Sequence, residues 1–413
     1  MLKDHLLQPQ PRLGGAGLLV LLVVSSVITP LSLDMYTPAV PHMADYFATD
    51  VGLVNMTLLG YYVFFALGML VFGPLSDAHG RRPVLLAGIA AYAVGSIGCA
   101  LSPSIWALIA FRIVQALGAG SISAVGMAIV KDSFEVVFRE KVLSAIQVLF
   151  VVGPAAAPVI GAGVVTLADW RMTFWILSAV GIGCFLLTLG LRETLSPDMR
   201  TQGSVGHALG QLVVVGRNPG FMAFLIVGSL FEVPFMGYIA VGSYIYIDFF
   251  DVGEVGYSLF FAAAAVVMAA GPLIWLVASK RVSVRRFTTL LFAAACLVGA
   301  ATATVGTMSP FAFCACFTAF ALMESCARPY TMNILLEQQS RDTGAASALM
   351  NCIRTGIGAV GMGIAALPWP NYAMGVGVLM VVFMGAACSG WVALLHSRIP
   401  LVRVKGSEPV RAL

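Results

Sequence analysis

The sequence predicts an all-α membrane protein with 12 transmembrane helices, arranged as two pseudo-symmetric six-helix bundles. The prediction rests on the composition, the length of the apolar runs and the placement of the basic residues. Of the 413 residues, 60% are hydrophobic and 10% are charged, whereas soluble domains carry roughly 25% charged residues. Such a chain cannot cover its apolar surface in water, so most of that surface must face lipid. Lipid offers no hydrogen bonds to the backbone, which favours helices.

Twelve apolar runs are long enough to cross the hydrocarbon core, which takes about 17 residues of helix or more. They are predicted at 13–36, 51–72, 83–101, 104–129, 142–166, 171–191, 219–247, 256–278, 287–306, 308–335, 343–367 and 372–396. The predicted connection between the ninth and tenth runs is the shortest, and Pro310 favours a turn there. No cleavable signal is expected, because the first run is too long for a signal core and includes Asp34 near its end.

The lysines and arginines predict the orientation of the chain. When both termini are placed in the cytoplasm, Arg171 is the sole basic residue in a predicted outside loop. Three others, Arg112, Arg328 and Arg354, lie inside spans, and the rest fall in predicted cytoplasmic segments. This asymmetry follows the positive-inside rule, and an odd number of spans would break it. We therefore expect a multi-pass protein of the cell inner membrane with cytoplasmic termini.

The longest polar segment lies at the centre of the chain and predicts two halves. The predicted parts are an N-terminal bundle at 1–191, a cytoplasmic linker at 192–218 with a short amphipathic helix from His207 to Val215, and a C-terminal bundle at 219–413. A repeated tripeptide supports an internal duplication of the six-helix unit. Gly73-Pro74-Leu75 recurs as Gly271-Pro272-Leu273, and basic residues follow both segments.

Charged residues inside the spans are the first candidates for function, because a charge at the bilayer centre costs roughly 2.5–3.5 kcal/mol on the mildest scale. Asp34 is surrounded by apolar side chains, which disfavour its charged form. It is therefore a candidate proton carrier that also attracts organic cations; the alternative is an interfacial carboxylate that caps the first span. Glu232 lies beside Pro234, which frees a backbone carbonyl and suits a cavity wall. The alternative for Glu232 is a hydrogen-bonded structural carboxyl.

The later spans carry three further charges. Glu324 and Arg328 are four residues apart, so they share a helix face and are predicted to pair. Arg354 has no acid at a suitable spacing on its own helix, and either reaches Glu324 or binds an anionic group. Aromatic and methionine side chains are candidate ligand contacts, the alternative being core or lipid-facing positions. The candidates of this kind are Tyr36, Tyr61, Met236 and Tyr238.

Several classes of protein are excluded by missing motifs. The sequence has no G-x-x-x-x-G-K-[ST] loop, which argues against an ATP-driven pump, and no H-E-x-x-H or G-x-S-x-G, so no enzyme is predicted. The eight cysteines include no C-x-x-C pair and are expected to be buried free thiols. We expect no metal, no cofactor and no nucleic-acid partner.

Four segments resemble motifs of the major facilitator superfamily. The segment from Gly73 to Pro83 resembles its loop 2–3 signature, G-x-L-x-D-x-x-G-R-[KR], through Gly73, Asp77, Gly80, Arg81 and Arg82. Arg112-x-x-Gln115-Ala116-x-Gly118 is similar to its span 4 motif, with Ala116 in place of the usual glycine. Gly153, Pro154, Pro158 and Gly161 resemble its span 5 antiporter motif. Asp34-Met35-Tyr36-Thr37-Pro38 resembles the start of Bcr/CflA-type drug-resistance transporters.

The resemblance implies a proton-coupled antiporter that exports drugs or other small amphipathic compounds by alternating access, hence multidrug efflux and antibiotic resistance. It also implies that Asp77 and Arg81 govern conformational switching and that Arg112 takes part in proton coupling, beside the candidates Asp34 and Glu232. Glu232, Glu324, Arg328 and Arg354 are outside the family pattern. They leave open the export of a polar metabolite, such as a sugar or an amino acid, that is zwitterionic or anionic. The expected partners are a small-molecule substrate, protons and the bilayer, and the expected state is a monomer.

Overall fold

The computed structural model describes residues 6–7, 9–196, 198, 200, 205–338, 343–399, 401 and 404. The described residues are helical except for short connections and one isolated β-bridge between Leu6 and Phe134, which confirms the all-α prediction. The chain packs as two compact units, unit 1 (Met1–Ala208) and unit 2 (Leu209–Leu413). The division falls inside the segment predicted as a linker, of which residues 197, 199 and 201–204 lie outside the description.

Unit 1 contains seven helices before the segment that leads to unit 2. They are α1 (Gly14–Asp34), α2 (Val40–Tyr46), α3 (Val51–His79), α4 (Arg81–Ala100), α5 (Ile105–Ser133), α6 (Val136–Leu167) and α7 (Trp170–Leu189). A 3₁₀ turn (Thr37–Ala39) joins α1 to α2. Helix α8 (Val205–Gly216) lies at the division between the units, where a short amphipathic helix was predicted.

Unit 2 contains the remaining helices. They are α9 (Pro219–Ser229), α10 (Glu232–Ser243), α11 (Gly253–Met268), α12 (Gly271–Ala278), α13 (Val284–Thr304), α14 (Pro310–Glu337), α15 (Thr343–Ala365) and α16 (Tyr372–His396). Proline explains the break between α11 and α12, because Pro272 has no N–H to donate to the carbonyl of Met268. That carbonyl accepts from Ser325 Oγ at 2.8 Å instead.

Among the described residues, 11 helical segments are long and apolar enough to span a bilayer, and Val152–Leu167 in α6 is a shorter apolar stretch. The first segment runs to Tyr46, beyond the predicted end at residue 36, because the 3₁₀ turn carries the helical path past Pro38. The count of 12 spans and the cytoplasmic position of the termini stay predictions. Residues 1–5 and 405–413 lie outside the described part of the chain.

Each unit uses the same internal order of helix packing. In unit 1, α1 packs on α6, α3 on α5, and α4 on α7. In unit 2, α10 packs on α15, α12 on α14, and α13 on α16. These are the contacts of the first predicted span of each half with the fifth, the second with the fourth, and the third with the sixth. This repeated order of contacts supports the interpretation of the two Gly-Pro-Leu segments as the result of an internal duplication.

Glycines bring the first and fifth predicted spans of each half into close contact. A Cβ atom at Gly161 of α6 would collide with the carbonyl of Met35, and one at Gly153 would lie 2.6 Å from Pro30 Cγ. In unit 2, a Cβ atom at Gly361 of α15 would collide with the carbonyl of Val233. Met35 and Val233 have the same separation in the chain as the two GPL segments. The antiporter-motif glycines therefore allow backbone-to-backbone packing of α6 on α1.

Gly161→Ala is expected to destabilise unit 1, because a methyl group forced into a packed contact costs about 1–3 kcal/mol. Gly163→Ala is the matched control, since a Cβ atom there has nothing within 4 Å. Alanine exceeds glycine in helix propensity by about 0.8–1 kcal/mol, so the control should be neutral or stabilising. Thermal unfolding in detergent measures both variants, and equal midpoints would contradict the close contact.

Candidate functional site

The end of α1 presents a backbone carbonyl to α5. The last carbonyls of a helix have no partner within it, and Pro38 has no N–H to donate back to the carbonyl of Asp34. That carbonyl accepts from Thr37 Oγ1 at 2.7 Å. The carbonyl of Ser32 accepts from Arg112 Nη1 at 2.9 Å. The end of α1 is therefore tied to the arginine of the span 4 motif through the carbonyl of Ser32.

Arg112 is fully buried in unit 1 without a carboxylate partner among the described residues. Its Nη1 also donates to Gln115 Oε1 at 2.9 Å, and Gln115 Nε2 donates to Ser96 Oγ at 2.8 Å. Nε and Nη2 of Arg112 have no hydrogen-bond partner within the described chain. The guanidinium instead lies among aromatic rings, with Cζ 4.4 Å from the centroid of Tyr61 and 4.9 Å from that of Tyr36. Cation–π attraction thus takes the place of a counter-ion.

Tyr36 and Tyr61, both candidate ligand contacts, are fully buried in this cage. The hydroxyl of Tyr36 shares a hydrogen bond of 2.7 Å with Thr57 Oγ1. Phe174 of α7 contributes a third ring, 5.5 Å from Arg112 Cζ. In this structure both tyrosines therefore hold the arginine, and their contact with a substrate stays a proposal.

Asp34, the last residue of α1, is 4% exposed. The contacts of the described residues include no hydrogen bond or ion pair to its carboxylate. An interfacial cap would be exposed, so the burial favours the prediction of a carboxyl inside apolar surroundings. A buried charge without a partner is costly. Unit 1 thus contains a buried aspartate, Asp34, and a buried arginine, Arg112, that form no ion pair with one another.

Unit 2 brings the four charges that were predicted inside its spans together from three helices. Arg328 Nε lies 2.5 Å from Glu324 Oε1 on the same face of α14, as the i, i+4 spacing predicts. Arg354 of α15 donates through Nε to Glu232 Oε1 of α10 at 3.0 Å, and its Nη2 contacts the same oxygen. Arg354 Nη2 also lies 3.6 Å from Glu324 Oε1. Arg354 therefore binds both acids, Glu232 most closely.

The fourth contact closes a ring of alternating charge. Arg328 Nη2 lies 3.9 Å from Glu232 Oε1, so each arginine faces both glutamates. We call Glu232, Glu324, Arg328 and Arg354 the charge quartet; its formal net charge is zero. The glutamate side chains are 7% and 2% exposed, and those of Arg354 and Arg328 are 20% and 44% exposed. A neutral ring explains how four charges can be held inside three neighbouring spans.

Glu232 of the quartet occupies the position in the second half of the chain that corresponds to Asp34 in the first half. Glu232 and Asp34 have the same separation in the chain as the two GPL segments, and each precedes the residue whose carbonyl meets the glycine of the fifth span. Within the described residues, unit 1 therefore leaves its carboxyl at this position without an ion pair, whereas unit 2 pairs it. Met236 is half-buried on α10, and a Cβ atom at Gly358 would lie 2.7 Å from its Cγ. Tyr238 is buried and stacks on Phe317, with 3.6 Å between ring centroids.

The loop 2–3 motif forms an ion-pair cluster at the junction of α3 and α4. Arg81 Nη1 lies 2.5 Å from Asp77 Oδ1, and Arg81 Nε lies 2.9 Å from Asp132 Oδ2 near the end of α5. Gly80 has φ 101°, a left-handed conformation that glycine adopts without strain. The motif therefore ties three helices of unit 1 together.

Glu193 completes this cluster and was missed by sequence analysis. Its two carboxylate oxygens accept from the backbone N–H groups of Arg81 at 2.9 Å and Arg82 at 3.1 Å, the first residues of α4. A carboxylate is favoured there by the unpaired N–H groups and the helix dipole. Asp132 was also missed. Glu193 and Asp132 are both remote in sequence from Arg81. The only feature that could have singled them out is a charge close to the end of a predicted span.

Among the described residues, no three or more histidine, cysteine, aspartate or glutamate side chains are grouped to hold a metal ion. The described cysteines are free, and three of them are buried.

The model of the Major Facilitator Superfamily matches residues 22–362. The chain is 31% identical over 258 residues to a chloramphenicol resistance protein of Pseudomonas aeruginosa, covering 62% of this chain and 61% of that protein. It is 30% identical over 261 residues to the uncharacterized MFS-type transporter YdgK of Bacillus subtilis (strain 168), covering 62% and 65%. Each alignment thus spans less than two thirds of the relative.

A solved structure is similar over most of the chain. It is the crystal structure of a bacterial homolog of the human lysosomal transporter Spinster, with a TM-score of 0.73 and 15% identity, covering 92% of this chain and 96% of that one. At this identity the likeness is one of fold.

Proposed function

Because the chain belongs to the major facilitator superfamily, we propose that it is a proton-coupled antiporter that exports drugs or other small amphipathic compounds by alternating access. Family membership makes it a multi-pass membrane transporter of a small molecule and not an enzyme. We further propose that it works as a monomer with 12 spans in the cell inner membrane, with both termini in the cytoplasm.

The observation that carries the proposal is the buried Asp34 carboxylate, which forms no ion pair among the described residues. When it is charged, it attracts a cationic or polar substrate; when it is protonated, that attraction is lost. Proton entry from outside therefore promotes substrate release. Glu232 holds the equivalent position in unit 2, but two arginines already neutralise it, so we assign the proton-carrying role to Asp34 first.

Arg112 supports this role through α1. Its hydrogen bond to the carbonyl of Ser32 lies two residues before Asp34, so a change at the end of α1 reaches the arginine directly. The rings of Tyr36, Tyr61 and Phe174 face its guanidinium in the place of a carboxylate. We propose that Arg112 takes part in coupling by holding α1 in one arrangement when Asp34 is charged and releasing it when Asp34 is protonated.

Conformational switching is assigned to the loop 2–3 cluster, as its family resemblance implies. The ion pairs of Arg81 with Asp77 and Asp132 join α3, α4 and α5, and Glu193 anchors the start of α4. Gly73, Gly80 and Arg82 complete the motif. Exchange of these pairs offers unit 1 two discrete arrangements, which is what a switch requires.

The drug-type substrate is supported by likeness to the chloramphenicol resistance protein, and placement with Bcr/CflA-type transporters by the segment from Asp34 to Pro38. Export of a polar metabolite is the second candidate, and the charge quartet is the observation in its favour.

Transport by purified protein in liposomes tests the proposal. Liposomes loaded with chloramphenicol, or separately with ethidium, are diluted into acidic buffer so that the proton gradient points inward. Efflux should accelerate relative to liposomes at equal pH, the lumen should acidify, and a protonophore should remove both effects. Efflux that is the same with and without the gradient would show that the protein is not a proton antiporter of these compounds.

A further inference from the structure

We infer that the charge quartet of unit 2 binds the ionic groups of an aromatic zwitterion, a small molecule with a carboxylate, an ammonium group and a flat apolar ring. The inference rests on the proposed export function and names a substrate class for it. It is carried by the geometry of the quartet, by its charge balance and by the rings beside it.

The quartet has one long contact, and that contact includes its most exposed member. Arg328 Nη2 and Glu232 Oε1 are 3.9 Å apart, beyond hydrogen-bond distance, whereas Arg328 and Arg354 each make a closer contact with one glutamate. The side chain of Arg328 is 44% exposed. A ligand can therefore displace the long contact between Arg328 and Glu232 without breaking the two close pairs.

Charge balance selects the class of ligand. The quartet is neutral, so an anion alone would add a negative charge in a low-dielectric site, and a cation alone would add a positive one; each is costly without a partner. A zwitterion adds none. With its carboxylate on Arg328 and its ammonium group on Glu232, it extends the alternating order of charges by two members. The planar guanidinium of Arg328 suits a carboxylate, which it can bind with two parallel hydrogen bonds.

The neighbouring aromatic side chains favour a ligand with an aromatic ring. Phe235 lies one helical turn beyond Glu232 on α10 and is half-buried, with its ring centroid 5.7 Å from Arg328 Cζ. Phe235 stacks on Phe317 at 6.3 Å, and Phe317 stacks on Tyr238. A column of rings thus extends from the exposed corner of the quartet. A flat ligand ring at Phe235 would continue this column.

Two matched sets of probes test the ligand class at equilibrium, with the full-length protein in detergent at one pH near neutrality. The first set is tryptophan, tryptamine and 3-indolepropionate, which share a ring and differ in charge. The second is phenylalanine, phenethylamine and 3-phenylpropionate. In each set, calorimetry should show that the zwitterion binds at least about tenfold more tightly than either singly charged probe, since it alone satisfies two charge-assisted contacts. Equal affinities, absent binding, or preference for a singly charged probe would overturn the inference.

Two variants locate the site. Glu324→Gln combined with Arg328→Gln keeps the quartet neutral and should reduce affinity for the zwitterions by about tenfold or more. Phe235→Leu leaves all four charges and should weaken both zwitterions severalfold, whereas Phe311→Leu, at an exposed ring of α14, should not. Unchanged affinity in the charge variant would place the ligand elsewhere. If the charge variant does not fold, the comparison of Phe235→Leu with Phe311→Leu decides the outcome.

The binding and transport experiments can fail independently. If the zwitterions bind as expected but no gradient-driven flux is found, the antiporter proposal fails and the binding site stands. If gradient-driven efflux is found but the charge of the probe does not matter, the zwitterion site fails and the antiporter stands.

Discussion

Asp34→Asn is expected to abolish gradient-driven efflux while leaving the protein folded. Asparagine has nearly the shape of aspartate but cannot carry the proton, so the variant stays in the state that resembles protonated Asp34. The driven component should fall more than about tenfold, the change that corresponds to about 1.4 kcal/mol. Stability should be retained, because the substitution removes a buried carboxyl that has no ion pair with any described residue.

The matched control is Asp45→Asn, in the same membrane segment. Asp45 is exposed, so its amide should leave both flux and stability near those of the unmodified protein. The assay is the chloramphenicol and ethidium efflux described above, with proton uptake followed in the same liposomes. Gradient-driven efflux by Asp34→Asn at the full rate would remove Asp34 from the coupling mechanism and reopen the carboxyls of the quartet as proton carriers.

Arg354→Gln is expected to cause a large loss of stability in unit 2. The substitution leaves Glu232 and Glu324 buried with Arg328 as their remaining quartet partner. Removal of one partner of a buried ion pair typically lowers the free energy of unfolding by about 3–5 kcal/mol. Addition of Glu232→Gln restores neutrality to the ring, so the double variant should recover most of the loss although it has two substitutions.

Unfolding midpoints of the single and double variants form a double-mutant cycle, which measures the coupling between Arg354 and Glu232. Arg286→Gln, at an exposed position of α13, is the control for loss of an arginine and should shift stability by less than about 0.5 kcal/mol. A double variant that is less stable than Arg354→Gln alone would contradict the account of the quartet as a charge-balanced ring.

Local patterns of the sequence were sufficient for much of the fold. Composition and the length of the apolar runs predicted helices, and the i, i+4 spacing predicted the contact of Glu324 with Arg328. Pro234 and Pro310 marked a break and a start of helices, because a proline removes a backbone donor wherever it stands. These features depend on residues within one or two helical turns, so they can be read along the chain.

The partners of the remaining charges were beyond this reach. Arg354 was left between Glu324 and an anionic ligand, and the structure adds Glu232, which lies on another helix. Glu193, the acceptor at the start of α4, had no pattern to single it out. Arg112 was expected to be functional, but its enclosure by Tyr36, Tyr61 and Phe174 depends on the approach of the connection after α1 and of two other helices.

The sequence by itself therefore determined that this protein is helical and membrane-embedded, because burial of so apolar a chain depends on composition and on backbone hydrogen bonds within each helix. It also identified the charged residues inside the spans, which are costly in a bilayer unless they are paired, hydrated or protonated. The tertiary structure alone decided which of them are neutralised. Asp34 and Glu232 hold equivalent places in the two units, yet the described residues leave Asp34 without an ion pair and join Glu232 to a ring of four. Pairing depends on which side chains the neighbouring helices bring within a few ångströms.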